Sequence, residues 1–359
     1  MAGARLVAPG PGPGGASLMP SPGSRRYDRP TSRGPRAEPI HGLLHEAPPG
    51  SVHGTVVRAF GKYFEVAPDS EAEVPTLLCT VRGTLRRDRR KTDLVAVGDR
   101  VAYTDQPGGE GQIEWVAPRT RVLARLARQT RDVEQVILAN PDQVLFVFAI
   151  RQPHPHRRML DRFLILAESQ GIPVVIGINK VDLAGETPVA RRENVDAIFA
   201  DYRAVYPLIE LSVAAGIGLD DLREALDGKI TVVAGPSGVG KSSVLNALDP
   251  SGERQVGVIS DATGKGRHTT TATRLYRLGD DTYVADTPGI RSLAMTGVPP
   301  QLLDDCFPEF RPYRGECFYQ DCTHVHEPDC AVRDAVVAGI IPAERHASYA
   351  ALRRGESLE

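Results

Sequence analysis

Between Val52 and about Pro118, short alternating or wholly apolar runs are broken every few residues by turn formers: VHGTVVRAF, YFEVA, TLLCTVRG, DRVAYT and QIEWVAP. Five short strands packed so closely predict a small β-barrel of the OB-fold kind. From Val144 the pattern lengthens. Apolar runs VLFVFAI, PVVIGINK, PLIELS and ITVVAGPS alternate with helical periodicity in RRMLDRFLILAESQG, near 188–203 and near 219–227. That alternation predicts a parallel sheet flanked by helices, an α/β domain. Beyond it, TRLYRLGDDTYVADTPG reads as an antiparallel hairpin turning at Gly279-Asp280-Asp281, and the last 60 residues end in helical stretches.

A chain of 359 residues exceeds one compact core, so the pattern divides into a multidomain protein. The expected units are a disordered Arg/Pro/Gly-rich tail (1–50), the barrel (51–118), a basic linker or short helix (119–135), the α/β domain (136–297) and a C-terminal unit (298–359). The longest apolar run, Val144 to Ile150, suits a buried strand and is far short of a membrane span. The opening MAGARLVAPGPGPGG lacks the apolar core of a secretory signal, so a cytoplasmic protein is expected. A net charge of -2 excludes a uniformly basic nucleic-acid binder, but charge is locally uneven. RGTLRRDRRKTD (82–93) and RTRVLARLARQTR (119–131) are strongly basic. A basic loop on a small barrel suits contact with a nucleic-acid backbone, and a merely solvated loop would have the same composition.

The chemistry concentrates in a few motifs. GPSGVGKSS (Gly235 to Ser243) follows the strand ITVVA and precedes the helical SSVLNAL, which is the context of a phosphate-binding loop. Gly235, Gly238 and Gly240 let backbone N–H groups converge on phosphate oxygens at a helix N-terminus, with Pro236, Ser237, Val239 and Ser243 completing the cradle. Lys241 would reach the β- and γ-phosphates, and the Ser242 hydroxyl would ligate Mg²⁺. Asp286-Thr-Pro-Gly289 stands where such domains place an acid near Mg²⁺ and a glycine N–H near the γ-phosphate. Asn179-Lys180-Val181-Asp182 follows VVIGI and has the form of a guanine-reading motif, whose aspartate accepts from the ring N–H and exocyclic amine; adenine lacks that pair of donors. Ser212, Val213 and Ala214 stand where a backbone contact to the guanine oxygen would follow.

The base-reading motifs thus precede the phosphate loop, a circularly permuted order that is tolerated when the original termini lie close together. Within GKGRHTTT (264–271), Thr270 is the preferred switch threonine for Mg²⁺ and γ-phosphate, with Thr269 and Thr271 as rivals. Ile290 occupies the place of a water-orienting glutamine and has no group for that work. His268, or a partner, would have to orient the attacking water; position alone fits an exposed loop histidine equally well. Finally, Cys317, Cys322, His324 and Cys330 supply three thiols and an imidazole within fourteen residues, the donor set of one structural Zn²⁺, with His326 as an alternative ligand.

Taken in order, the basic barrel, NKVD, SVA, GPSGVGKSS, GRHTTT, DTPG and the Cys3His segment resemble the ribosome small-subunit-dependent GTPase A family, from about residue 51 to the C-terminus. The resemblance implies a circularly permuted GTPase with an OB-fold before it and a zinc-binding domain after it. It implies a GTP hydrolase that binds the small ribosomal subunit and its rRNA late in maturation and is stimulated by it; a monomer is expected. It also implies a catalytic role for the histidine at position 268, alongside Lys241 and Thr270, and RNA contacts through the barrel and zinc segment. SVA stands where SA is more usual, and the tail falls outside the resemblance. An RNA-binding assembly chaperone with incidental hydrolysis, or a permuted GTPase of the large subunit, are the competing readings. Because the segment after Gly289 runs straight into the Cys3His unit, nucleotide state and RNA grip are expected to be coupled there.

Overall fold

The computed structural model describes residues 46–69, 75–82, 94–126, 134–249, 273–279, 281–286 and 298–356. Most of the expected tail, the basic stretch 83–93, His268, Thr270 and its neighbours, Gly289 and the segment leading into the Cys3His unit lie outside the described residues.

Strands β1 (Val52–Phe60), β2 (Tyr63–Pro68), β3 (Leu77–Val81), β4 (Arg100–Asp105) and β5 (Gly111–Val116) form the expected barrel. β1 pairs with β2 and β4, β3 runs parallel to β5, and β4 pairs with β5, so the sheet closes on itself. Closure removes the free edges and turns alternate side chains inward. Val56, Val66, Cys79, Val101 and Ile113 meet there as a dry core.

Residues Val122–Leu126 and Glu134–Ala139 pair as an antiparallel hairpin, β6 and β7, where the composition had suggested a linker or short helix. Leu123 and Leu138 face each other across it and are buried in the main core. Burial on a pleated surface overrides a local arginine excess. The barrel is fastened alongside: Ala139 N–H donates to Val97 O at 2.8 Å, and Arg119 forms a two-pronged ion pair with fully buried Asp99, both bonds 2.7 Å.

The α/β region has strand order β10 (Leu208–Glu210), β9 (Val174–Asn179), β8 (Gln143–Ala149), β11 (Ile230–Ala234), β13 (Thr282–Asp286) and β12 (Arg274–Gly279). All neighbours are parallel except the β12–β13 hairpin. A single residue pair, Arg58 with Arg274, joins β12 to the barrel's β1. Every residue of β8 is buried: Val144, Phe146 and Phe148 enter one core and Leu145, Val147 and Ala149 the other. Helices α1 (Arg157–Ser169), α2 (Pro188–Arg203), α3 (Leu219–Leu226) and α4 (Lys241–Leu248) cover the sheet, α1 and α2 belonging to the first core and α3 and α4 to the second. A strand covered on both faces has to be apolar throughout, which is why VLFVFAI shows no alternation. Among the described residues no helix is long and apolar enough to cross a membrane.

The C-terminal unit consists of three short 3-10 turns between Pro300 and Tyr313, the Cys/His loop, α5 (Ala331–Val337) and α6 (Ala343–Arg353). Its core of Phe307, Phe310, Val332 and Tyr349 also takes Ile165 from α1. Beside that contact lies Arg345 of α6, 1% exposed. Its guanidinium pairs with Asp161 of α1 and with Glu309 at 2.6 Å, and stacks over Phe307 at 4.6 Å. Tyr202 of α2 donates to the same Asp161 at 3.0 Å. Burial works to lower the guanidinium's pKa, but the Asp161 and Glu309 carboxylates outweigh it and raise it. Removing one partner of such a pair leaves a buried charge uncompensated. Arg345→Ala is therefore expected to cost about 3–5 kcal/mol and lower the urea midpoint, whereas Arg354→Ala at the surface leaves it unchanged. Equal midpoints for the two variants would show that the network is not structural.

Candidate functional site

The carboxyl ends of β9 and β11 flank the carboxyl end of β8. Parallel strands deliver their loops to one edge, so the loops after β9 and β11 become neighbours despite 60 residues of intervening chain. Two side chains join them. Asn179 Nδ2 donates to Val239 O at 2.8 Å, and Lys180 Nζ donates to Gly238 O at 2.8 Å and also to Gln152 O. Asn179 is 3% exposed, and its Oδ1 is a buried acceptor with no hydrogen-bond partner among the described residues. Lys180 adopts a left-handed backbone, φ 62°, which turns the chain from β9 into the short 3-10 turn Val181–Ala184.

The Gly235–Ser243 loop has the backbone that its glycines permit. Gly235, Gly238 and Gly240 have φ of 147°, 78° and 91°, and a Cβ on Gly235 would strike Val147 O, on Gly240 the Asn179 amide. Val239 is buried, while Ser237, Gly238, Ser242 and Ser243 are exposed at the mouth and Pro236 is half-buried. Lys241 and Ser242 open α4, and Lys241 Nζ donates to Pro236 O at 2.6 Å. Two ammonium groups and a helix N-terminus therefore converge on one exposed rim, an arrangement that favours a polyanion.

Ser212, Val213 and Ala214 begin a turn closed by reciprocal bonds between Ser212 and Ile217, 3.0 and 2.9 Å. The sequence reading gave this motif a backbone role. The structure adds a side-chain contact: Ser212 Oγ donates to Asp182 Oδ1 at 2.5 Å and accepts from Ala215 N at 3.1 Å, so the hydroxyl orients the aspartate. Asp286 ends β13, in register with Val233 of β11, which places its backbone beside the start of the glycine loop. The loop that carries Gln152 and Pro153 borders the site and was missed. In the sequence it is a proline-broken connection after a strand, with no motif to mark it; here Gln152 O accepts from Lys180 and Pro153 lies against Gly238.

A second centre lies in the C-terminal unit. The donor atoms of Cys317, Cys322, His324 and Cys330 lie within 4.8 Å of one another, and His326 is exposed outside the group. Metal–sulfur bonds of about 2.3 Å and metal–nitrogen bonds of about 2.0–2.1 Å in a tetrahedron require edges of about 3.5–3.8 Å. The observed Sγ317–Sγ330, Sγ317–Nδ1 and Nδ1–Sγ330 separations are 3.8, 3.5 and 3.4 Å. The group is compatible with one metal ion. Burial pushes the Cys322 thiol up to about 12 and lowers the His324 pKa, so a bound cation would have to displace the thiol protons. His346 Nε2 lies 2.7 Å from His324 O, and Tyr349 OH donates to Thr323 O at 2.7 Å, which ties the loop to α6.

Glu327 braces the same loop by accepting from the Thr323 hydroxyl and from the Thr323, Val325 and His326 N–H groups. Burial works to raise its pKa, but these bonds outweigh it and hold it at about 2, against an ordinary 4.5. The sign follows from linkage: the stabilisation is complete above pH 4.5 and is lost as pH falls through about 2. Wild-type protein is expected to lose stability across that window more steeply than Glu327→Gln, measured by urea titration at successive pH values. Parallel pH profiles would show that these bonds do not hold the loop.

Comparison with known proteins places these centres in context. The RsgA GTPase family model matches residues 116–296. The small ribosomal subunit biogenesis GTPase RsgA of Gemmatimonas aurantiaca is 41% identical over 306 residues, covering 84% of this chain and 97% of the relative. The protein of the same name from Pseudomonas aeruginosa is 39% identical over 297 residues, 82% of this chain and 83% of its own. Among solved structures, YjeQ from Thermotoga maritima superposes with a TM-score of 0.68 at 34% identity, covering 85% of this chain and 98% of that one. YloQ, described as a circularly permuted GTPase, gives 0.67 at 29%, covering 87% and 97%.

Proposed function

The chain belongs to the RsgA GTPase family, and from that membership we propose how its two centres divide the work. It is a GTP hydrolase that acts in maturation of the small ribosomal subunit. The observation that carries the site assignment is the junction of the Asn179-to-Asp182 loop with the glycine loop through Val239 and Gly238.

GTP would lie across this junction. Asp182, oriented by Ser212, would accept from the guanine ring N–H and amine, while the turn at Val213 and Ala214 would face the guanine oxygen. Lys180 would cover the base, since its ammonium is already fixed at Gly238 O. The N–H groups from Gly235 to Ser243 would hold the phosphates, and Lys241 would turn from Pro236 O to the β- and γ-oxygens. Ser242, Asp286 and Thr270 would hold Mg²⁺, which neutralises charge developing between the β- and γ-phosphates. Gly289 would contact the γ-phosphate through its N–H, and His268 would orient the attacking water. Ile290 supplies no polar group for that task. Slow hydrolysis by the free protein follows, with stimulation when the small subunit binds.

In the second centre, Zn²⁺ is the fitting metal for Cys317, Cys322, His324 and Cys330, because three thiolates and one imidazole close a tetrahedral shell and leave no open coordination position. Its role is structural. The barrel (51–118) and the unit 298–359 would contact rRNA on either side of the GTPase, with the protein working as a cytoplasmic monomer.

Phosphate release from GTP, measured with and without purified small subunits, tests the whole reading. Stimulation of tenfold or more is expected for wild type and none for Lys241→Ala. Stimulation by large but not small subunits, or full assembly function in cells carrying Lys241→Ala, would overturn it.

A further inference from the structure

The loop that joins β8 to α1 and the first two residues of α1 read Arg151-Gln-Pro-His-Pro-His-Arg-Arg158 and contain no acidic residue, in a chain whose net charge is -2. Arg151, His154, His156 and Arg158 are exposed. Their neighbour Arg157 shows what structural use looks like here: it pairs with Asp201, reaches Glu344 at 3.4 Å and donates to Ile198 O at 2.9 Å. Arg151 and Arg158 make no ion pair among the described residues. Glu356 feels the field of Arg158, but its partner is Arg354 at 2.5 Å.

The loop is also held in place. Pro153 and Pro155 restrict its backbone, Lys180 grips Gln152 O, and Met159 and Leu160 N–H groups bond to His156 O at 3.0 and 3.1 Å as α1 begins. α1 is itself locked by Asp161 to Arg345. Two guanidinium groups and two imidazoles are therefore presented to solvent on a backbone that is already ordered. Such a surface loses little entropy on meeting a partner.

We propose that this loop is a phosphate-backbone contact for RNA of the small ribosomal subunit, a contact made by the GTPase region itself. The proposal rests on the function assigned above, which supplies an RNA-rich partner. Guanidinium groups match phosphodiester oxygens in charge and in donor geometry, and imidazole N–H groups add directed bonds to the same acceptors. The loop also abuts the nucleotide site: Lys180 donates simultaneously to Gln152 O in the loop and to Gly238 O in the phosphate cradle. RNA seated on Arg151 and Arg158 would thus load the carbonyl that positions Lys180.

The test compares wild type, Arg151→Ala/Arg158→Ala and Arg151→Lys/Arg158→Lys. Each is co-sedimented with purified small subunits over a salt series, and each is measured for binding to a short RNA duplex and to a fluorescent GTP analogue. The double alanine variant is expected to lose tenfold or more in both RNA-containing assays, with the slope of log affinity against log salt falling by about 2 and GTP affinity unchanged. The double lysine variant is expected to keep the wild-type slope. Unchanged subunit affinity and slope in the alanine variant would overturn the proposal. A fall in GTP affinity alone would assign the loop to the nucleotide, and a loss on subunits with unchanged duplex binding would assign it to an acidic protein surface; either result overturns it. Failure of wild type to sediment with subunits would sink the assigned function instead, and duplex binding would then decide the loop separately.

Discussion

Two hydrogen bonds, from Asn179 to Val239 O and from Lys180 to Gly238 O, bridge halves of a site that the chain delivers in reversed order. They are possible because β8 lies between β9 and β11, with all three parallel. Which loops share an edge depends on strand order in space, and chain order decides only how those strands are connected. A permuted chain can therefore rebuild the same edge, provided that the backbone at the junction comes close enough. Gly240 supplies that closeness, since a side chain there would occupy the position of the Asn179 amide.

The second constraint is the buried charge network at the foot of α1. Arg345 draws together Asp161 and Glu309 beneath a shared aromatic layer, so the Cys3His unit is packed on the GTPase region through side chains as well as linked to it by chain. The sequence had suggested coupling through the segment after Gly289, which lies outside the described residues. The described contacts run another way, from the glycine loop through Lys180 to Gln152, into α1, and across Asp161 to α6. These contacts run without a break from the glycine loop to α6.

Much of this was legible in the sequence. In the barrel β3 alternates from Leu78 because one face is wet, β8 does not because neither face is, and glycines with positive φ mark the loop after β11. The Cys3His set is written in one short stretch, so chain connectivity alone brings its donors near one another. What could not be read has a common cause, which is dependence on partners distant in sequence. Arg345 looks like any helix-surface arginine until Asp161, 184 residues away, is placed beneath it. β6 reads as an arginine-rich linker because its strand character comes from burial of Leu123 against Leu138. Ser212 reads as a backbone contact alone because its hydroxyl's partner, Asp182, belongs to another loop.

The junction is most directly tested through Asn179, whose amide reaches the glycine loop while its side chain stays buried. The measurement is GTP-analogue affinity of Asn179→Ala, with the urea midpoint as a check on folding. Leaving Val239 O without its donor should cost about 1–3 kcal/mol, and because about 1.4 kcal/mol is tenfold in affinity, binding is expected to weaken about five- to 150-fold. Wild-type affinity in a folded Asn179→Ala protein would contradict the claim that this bond joins the two halves of the site.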